Sequence, residues 1–182
     1  MTHRDGDVGN TAQRFGRAAE WFVASTAGGV HLAQIGVIAD RAVDLLHLLS
    51  DQLDPAVDVV IDSLRDNVRW SGELLALPDV REAIGRLRLV LATYGGVEVT
   101  IVTPDDQLTL TPEMGLIIYS RSDRWLFVLE GLGLVERAAL PSAVWTLDRR
   151  ALSPIATLTD ALESASARLG LVAAPLAAVR SL

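Results

Sequence analysis

Residues 30–53 read VHLAQIGVIADRAVDLLHLLSDQL, the most apolar run in the chain, and the way this run folds decides the architecture. Its apolar residues Leu32, Ile35, Ile38, Ala42, Leu45, Leu46, Leu48 and Leu49 return at intervals of three and four, which predicts one long helix from Val30 to Gln52. The charges of Asp40, Arg41, Asp44, His47 and Asp51 oppose a lipid-spanning role, so a buried helix is expected and not a membrane span. Apolar positions cover well over half of this helix, whereas an amphipathic helix needs a stripe of only about a quarter of its circumference. Such surplus is covered either by sandwiching the helix inside its own chain or by a second copy. The expectation favours the second copy, a homo-oligomer and most simply a dimer, with Leu45, Leu46, Leu48 and Leu49 at the contact.

Working outward, the polar residues 1–9 read as a tail, and Asn10 or Thr11 caps a helix to about Ala27 that carries Phe15, Ala19, Phe22 and Val23 before Gly28-Gly29 interrupts it. Asp54-Pro55 supplies a cap and a favoured first helical residue for a third helix to about Leu77. Pro78-Asp79 restarts the chain as a fourth helix, with Val80, Ile84, Leu87, Leu91 and Tyr94 on one face, which Gly95-Gly96 ends. After those glycines the period becomes two. Val97, Val99 and Ile101 alternate with Glu98 and Thr100, and turns at Pro104-Asp105-Asp106 and Pro112 to Gly115 separate strands at Gln107–Thr111 and Leu116–Arg121. Arg124–Glu130, with Trp125, Phe127 and Leu129 on one side and Leu126 and Val128 on the other, reads as a central strand greasy on both faces, so Trp125 and Phe127 join the expected contact. Strands at Leu134–Leu140 and Ala143–Leu147 and a helix from about Ser153 to Leu169 complete the reading. The expected fold class is therefore α+β, a bundle of about four N-terminal helices followed by an antiparallel meander and a C-terminal helix. Residues 10–182 form one unit, with a helical half at 10–94, a sheet at 97–147 and the last helix at 153–169.

Composition bounds the chemistry. The 182 residues are half apolar and 21% charged, which suits a packed fold and excludes intrinsic disorder. There is no cysteine, so disulfides, thiolate metal sites and cysteine nucleophiles are excluded. All 16 basic residues are arginine, which removes Schiff-base chemistry and the lysine of a P-loop. The net charge of −7 opposes broad attraction to nucleic acid or anionic lipid. Nothing in the opening residues has the basic-then-apolar order of a secretory signal, and the expected address is cytoplasmic.

Three constellations remain. Asp40, Asp44, His47 and Asp51 fall on one strip of the second expected helix, where carboxylates and a histidine could hold a metal, although bundle metal sites repeat their acid-x-x-histidine pattern on two helices and this chain has it once. Asp54, Asp58, Asp62 and Asp66 recur every four residues, opposite the apolar stripe of the third expected helix, so Asp62 and Asp66 are expected to face water. Arg86, Arg88, Arg121 and Arg124, on a helix followed by a hairpin, resemble the layout of a winged helix that meets DNA, but that helix gives its central positions to Ile84, Leu87, Leu89 and Leu91, leaving few side chains for base edges. Only His31 and His47 lie within the expected fold, no serine sits in a nucleophile elbow, and Gly131-Leu132-Gly133 reads as a turn. The function expected is a non-catalytic protein-interaction or regulatory module without a cofactor, working as a homo-oligomer, with DNA-binding and metal-dependent alternatives behind it.

Overall fold

The computed structural model describes residues 20–139 and 152–176. The described part of the chain opens on strands: β1 (Trp21–Ala27) and β2 (Val30–Gly36) precede α1 (Ala39–Ser50), and a second hairpin, β3 (Ala56–Ser63) and β4 (Val68–Ala76), precedes α2 (Leu77–Tyr94). Then come β5 (Val97–Val102), β6 (Asp106–Leu110), β7 (Leu116–Ser120), α3 (Arg124–Gly131), the two-residue β8 (Val135–Glu136), α4 (Ala156–Leu169) and β9 (Val172–Pro175). Among the described residues nine strands form one sheet in the order β8-β1-β2-β7-β6-β5-β3-β4-β9. Every pairing is antiparallel except that of β1 with β8.

This order overturns the expected N-terminal helical bundle: two hairpins stand where helices were expected, and helices alternate with them. Gly28 and Gly29 both have positive φ, +60° and +79°, and make the two-residue turn whose twist matches a hairpin, so they join β1 to β2 instead of separating two helices. Within residues 30–52 the alternating half, Val30 to Gly36, is strand, and the helix begins only at Ala39. The expected third helix is β3 and β4. Its β-branched residues Val57, Val59 and Ile61 point to the core while Asp58, Val60 and Asp62 point away, and a four-residue acid spacing fits this period of two as well as it fits a helix. The expected strand at Arg124–Glu130 is α3, in which Trp125 and Leu129, four apart, are the buried pair. Of the expected strand at Leu134–Leu140, whose last residue lies outside the described residues, only Val135–Glu136 is strand among those described. Residues 1–19, which contain the expected tail and most of the first expected helix, and Ala143–Leu147 lie outside the described residues. The helix ending at Tyr94 and the strands β5, β6 and β7 follow the sequence pattern closely.

The core lies between one face of the sheet and the helices. In-facing rows run straight across the strands; one of them joins Phe22, Ile35, Leu116, Leu110, Val99, Ile61 and Trp70. All are buried, against Ala42, Leu45, Leu46 and Leu49 of α1, Val80, Ile84, Leu87 and Leu91 of α2, and Leu158 and Leu162 of α4. The greasy character of α1 is therefore used inside the chain. At roughly 1.5–3 kcal/mol for each fully buried aliphatic side chain, this layer supplies the main drive to fold.

Candidate interaction face

The outward side of the sheet can be read row by row from the strand register. One row runs Val23, Gln34, Ile117, Thr109, Thr100, Val60, Ser71 and Val172, crossing β1, β2, β7, β6, β5, β3, β4 and β9. It contains no charged side chain. The row beside it runs Ser25, Leu32, Tyr119, Gln107, Val102 and Asp58, and only its last member is charged. In a chain that is 21% charged, this concentration of Val, Ile, Leu, Tyr, Thr, Gln and Ser is the outstanding surface feature. Among the described residues no helix lies on it. Thr100 and Thr109 meet hydroxyl to hydroxyl at 3.2 Å, and Gln107 donates to Thr109 at 3.0 Å. At the corner, Trp21 lies over Gly36, its cross-strand partner, so closely that a methyl group there would overlap the indole.

Charge gathers at the β3–β4 corner with the neighbouring Glu98 of β5, at the Asp105–Arg121 end of β6 and β7, and in the helical layer. Asp62, opposite both Glu98 and Arg69, accepts two hydrogen bonds from Arg69 at 2.6 and 2.5 Å and is nearly buried, so it does not face water as the helical reading required. The hydrogen bond to Asp62 holds the Arg69 guanidinium above its ordinary value, reinforced by the negative charges of Asp62 and Glu98. Asp66 accepts from Ser63 at 2.7 Å and from Thr159 at 2.9 Å and ties the β3–β4 turn to α4.

The strip on α1 serves the helix layer. Asp44 pairs with Arg88 and Asp51 with Arg81, each at 2.6 Å, bridging α1 to α2, and His47 lies against Gly85. Among the described residues no group of three or more His, Asp or Glu side chains has the arrangement to hold a metal, so Asp40, Asp44, His47 and Asp51 are not brought together as one site. The arginines singled out for DNA are likewise engaged with acids. Arg86 binds Glu82 at 2.6 Å, Arg121 binds Asp105 at 3.5 Å, and Arg124 pairs with Asp106. Of the expected contact residues, Leu45, Leu46, Leu49 and Trp125 are enclosed by the chain's own core, whereas Leu48 is 43% and Phe127 66% exposed.

One polar cluster escaped the sequence reading. Asp106, His31 and Ser120 fall in a single in-facing row with Thr26. The residue types are those of a nucleophilic triad, but the geometry is not: Ser120 donates to Asp106 Oδ1 at 2.6 Å, and His31 meets Thr26 at 3.2 Å. Asp106 also accepts from the Trp125 indole at 2.7 Å and from Arg124, whose guanidinium lies 5.1 Å from the Trp125 ring centre. The Ser120 hydroxyl proton is thus committed to a carboxylate with three donors, and the cluster latches α3 to the sheet. A shallow groove of about 580 Å³ lies where β9 ends against β4, between Asp58, Glu73, Leu75, Val102 and Val172. It sits at a bulge that holds Leu74 at φ +53° and 81% exposure, its N–H bonded to Asp58 at 2.8 Å.

Among the described residues the fold and this face define two layers, helices on one side of a mixed, mostly antiparallel sheet and a nearly uncharged sheet surface on the other. No protein-family model, curated protein or solved structure matches the chain. No helix among the described residues is long and apolar enough to cross a membrane.

Proposed function

We propose that the chain is a non-catalytic protein-interaction module whose contact surface is the uncharged sheet face, acting in the cytoplasm, where a cysteine-free chain loses nothing to reduction. The observation that carries this reading is the pair of outward rows with one charge between them. Solvated sheet faces alternate apolar residues with charged and polar ones, and natural sheets use charge to resist unwanted pairing. The centres of protein contacts show the opposite composition, depleted of charge and enriched in aromatic and aliphatic groups. The expected contact on α1 gives way to the sheet, because its leucines are used by the core.

The reading is tested by the size of the native species in an extract of the producing cells. The tagged chain is expected to elute well above its own 19.5 kDa, and the Ile117→Asp chain, carrying a charge at the centre of the face, to elute as a single chain. Elution of the unaltered protein as a single chain, or co-elution of the variant with a larger species, overturns it.

A further inference from the structure

We infer that the occupant of this face is a second copy of the same chain, packed sheet against sheet about a two-fold axis that runs along β7; the inference rests on the reading above. Two observations converge on it.

The first is the chemistry of the rows. A two-fold contact brings each residue onto itself or its symmetry mate, so a charged group near the axis meets its like. Thr, Ser and Tyr hydroxyls and the Gln amide both donate and accept, so they pair with their own copies without conflict. Thr100, Gln107, Gln34, Ser25 and Tyr119 are of this kind, set among Val23, Leu32, Ile117 and Val102. A different partner is commonly selected by complementary charge, and these rows offer only Asp58 at one end.

The second is the placement of charge. The chain carries −7, so two copies repel, and the repulsion is least where the facing surfaces are neutral. Strand β7 is the middle of the block β1-β2-β7-β6-β5, whose outward strand residues are uncharged but for Glu98 on β5. An axis along β7 sets β1 of one copy over β5 of the other, and the Asp58 and Asp62 corners on β3 go to opposite ends of the dimer. An axis across the strands sets each corner over its own copy, acid on acid. The charge pattern therefore selects the first arrangement.

The extent is modest: an axis along β7 overlaps the five strands from β1 to β5, about 19 Å at a strand spacing of about 4.8 Å, and five residues of strand add about 17 Å in the other direction. The overlap thus projects on the order of 300 Å² before the relief of its side chains is counted, against the roughly 800 Å² that each partner contributes to a stable interface.

The purified full chain separates this inference from the broader one. Light scattering coupled to size exclusion is expected to give twice 19.5 kDa, and Ile117→Asp is expected to halve that mass while keeping its circular dichroism and cooperative melting. Because the chain has no cysteine, single thiols report the geometry without background. Facing sheets lie about 10 Å apart, beyond disulfide reach, so a short bifunctional maleimide is expected to join Ile117→Cys chains and to leave Leu89→Cys chains, on the helical layer, unjoined. A purified chain at single mass overturns the inference; if the extract species is still large and sensitive to Ile117→Asp, the face serves another protein and the broader reading stands. A dimer that is cross-linked through Leu89→Cys and not through Ile117→Cys overturns both.

Discussion

Asp106 shows how much one side chain can hold. Its carboxylate is nearly buried and receives Ser120, Trp125 and Arg124 together, so removing it strands three donors, one of them a guanidinium. Asp106→Ala is expected to cost about 2–4 kcal/mol, a fall of roughly 5–15 °C in melting temperature for a chain of this size, and Asp106→Asn, which keeps one acceptor, to cost less. Ser166 is the converse case: its hydroxyl is buried in α4 without a hydrogen-bond partner among the described residues. Ser166→Ala removes that hydroxyl and raises helix propensity, so the melting temperature is expected to rise by the equivalent of about 0.5–1 kcal/mol. Glu82 lies on the surface, and hydrogen bonding from Arg86, with Arg168 nearby, lowers its carboxyl from the usual 4.5. A depressed carboxylate contributes stability above its unfolded value, and that contribution is lost as pH falls through 4.5 and below. Thermal melts of Glu82→Gln are expected to show a shallower acid limb below about pH 4.5 and nearly unchanged stability at pH 7, where an exposed pair contributes little.

The second hairpin records both a conflict and its resolution at the scale of elements. Asp58, Asp62 and Asp66 obey a four-residue repeat, and four is a multiple of both the helical neighbour spacing and the strand period. What separates the two is the β-branched run Val57, Val59, Val60 and Ile61, which a pleated surface accommodates better than a helix does. The Gly28-Gly29 pair carries the same lesson, since two glycines between alternating runs are a hairpin signal. The pattern at α3 misleads for another reason. Two turns of helix buried through Trp125 and Leu129, and half-buried at Leu126 and Val128, leave no long stripe to read. The β3–β4 bulge stores strain at Leu74, a left-handed residue with little burial to compensate. Leu74→Gly is expected to stabilise the protein by about 1 kcal/mol through relief of that strain, seen as a higher denaturation midpoint with an unchanged slope.

For the molecule as a whole, the excess apolar character of α1 and the uncharged sheet face are answers to different questions. Leu45, Leu46 and Leu49 close the core from the helix side, so Leu46→Glu is expected to unfold the chain and not merely to dissociate it; loss of cooperative melting in that variant, against its retention in Ile117→Asp, checks the distinction. The sequence alone established a packed chain of mixed helix and antiparallel strand, the absence of thiol and lysine chemistry, and the extents of α2 and β5 to β7, because these follow from composition and from long, clean periods. The order of the first elements required the sheet: a short apolar run fits either period until neighbouring strands supply its hydrogen bonds. The candidate face was beyond any local reading, because its residues come from eight strands between Val23 and Val172 and become one surface only when pairing fixes their register.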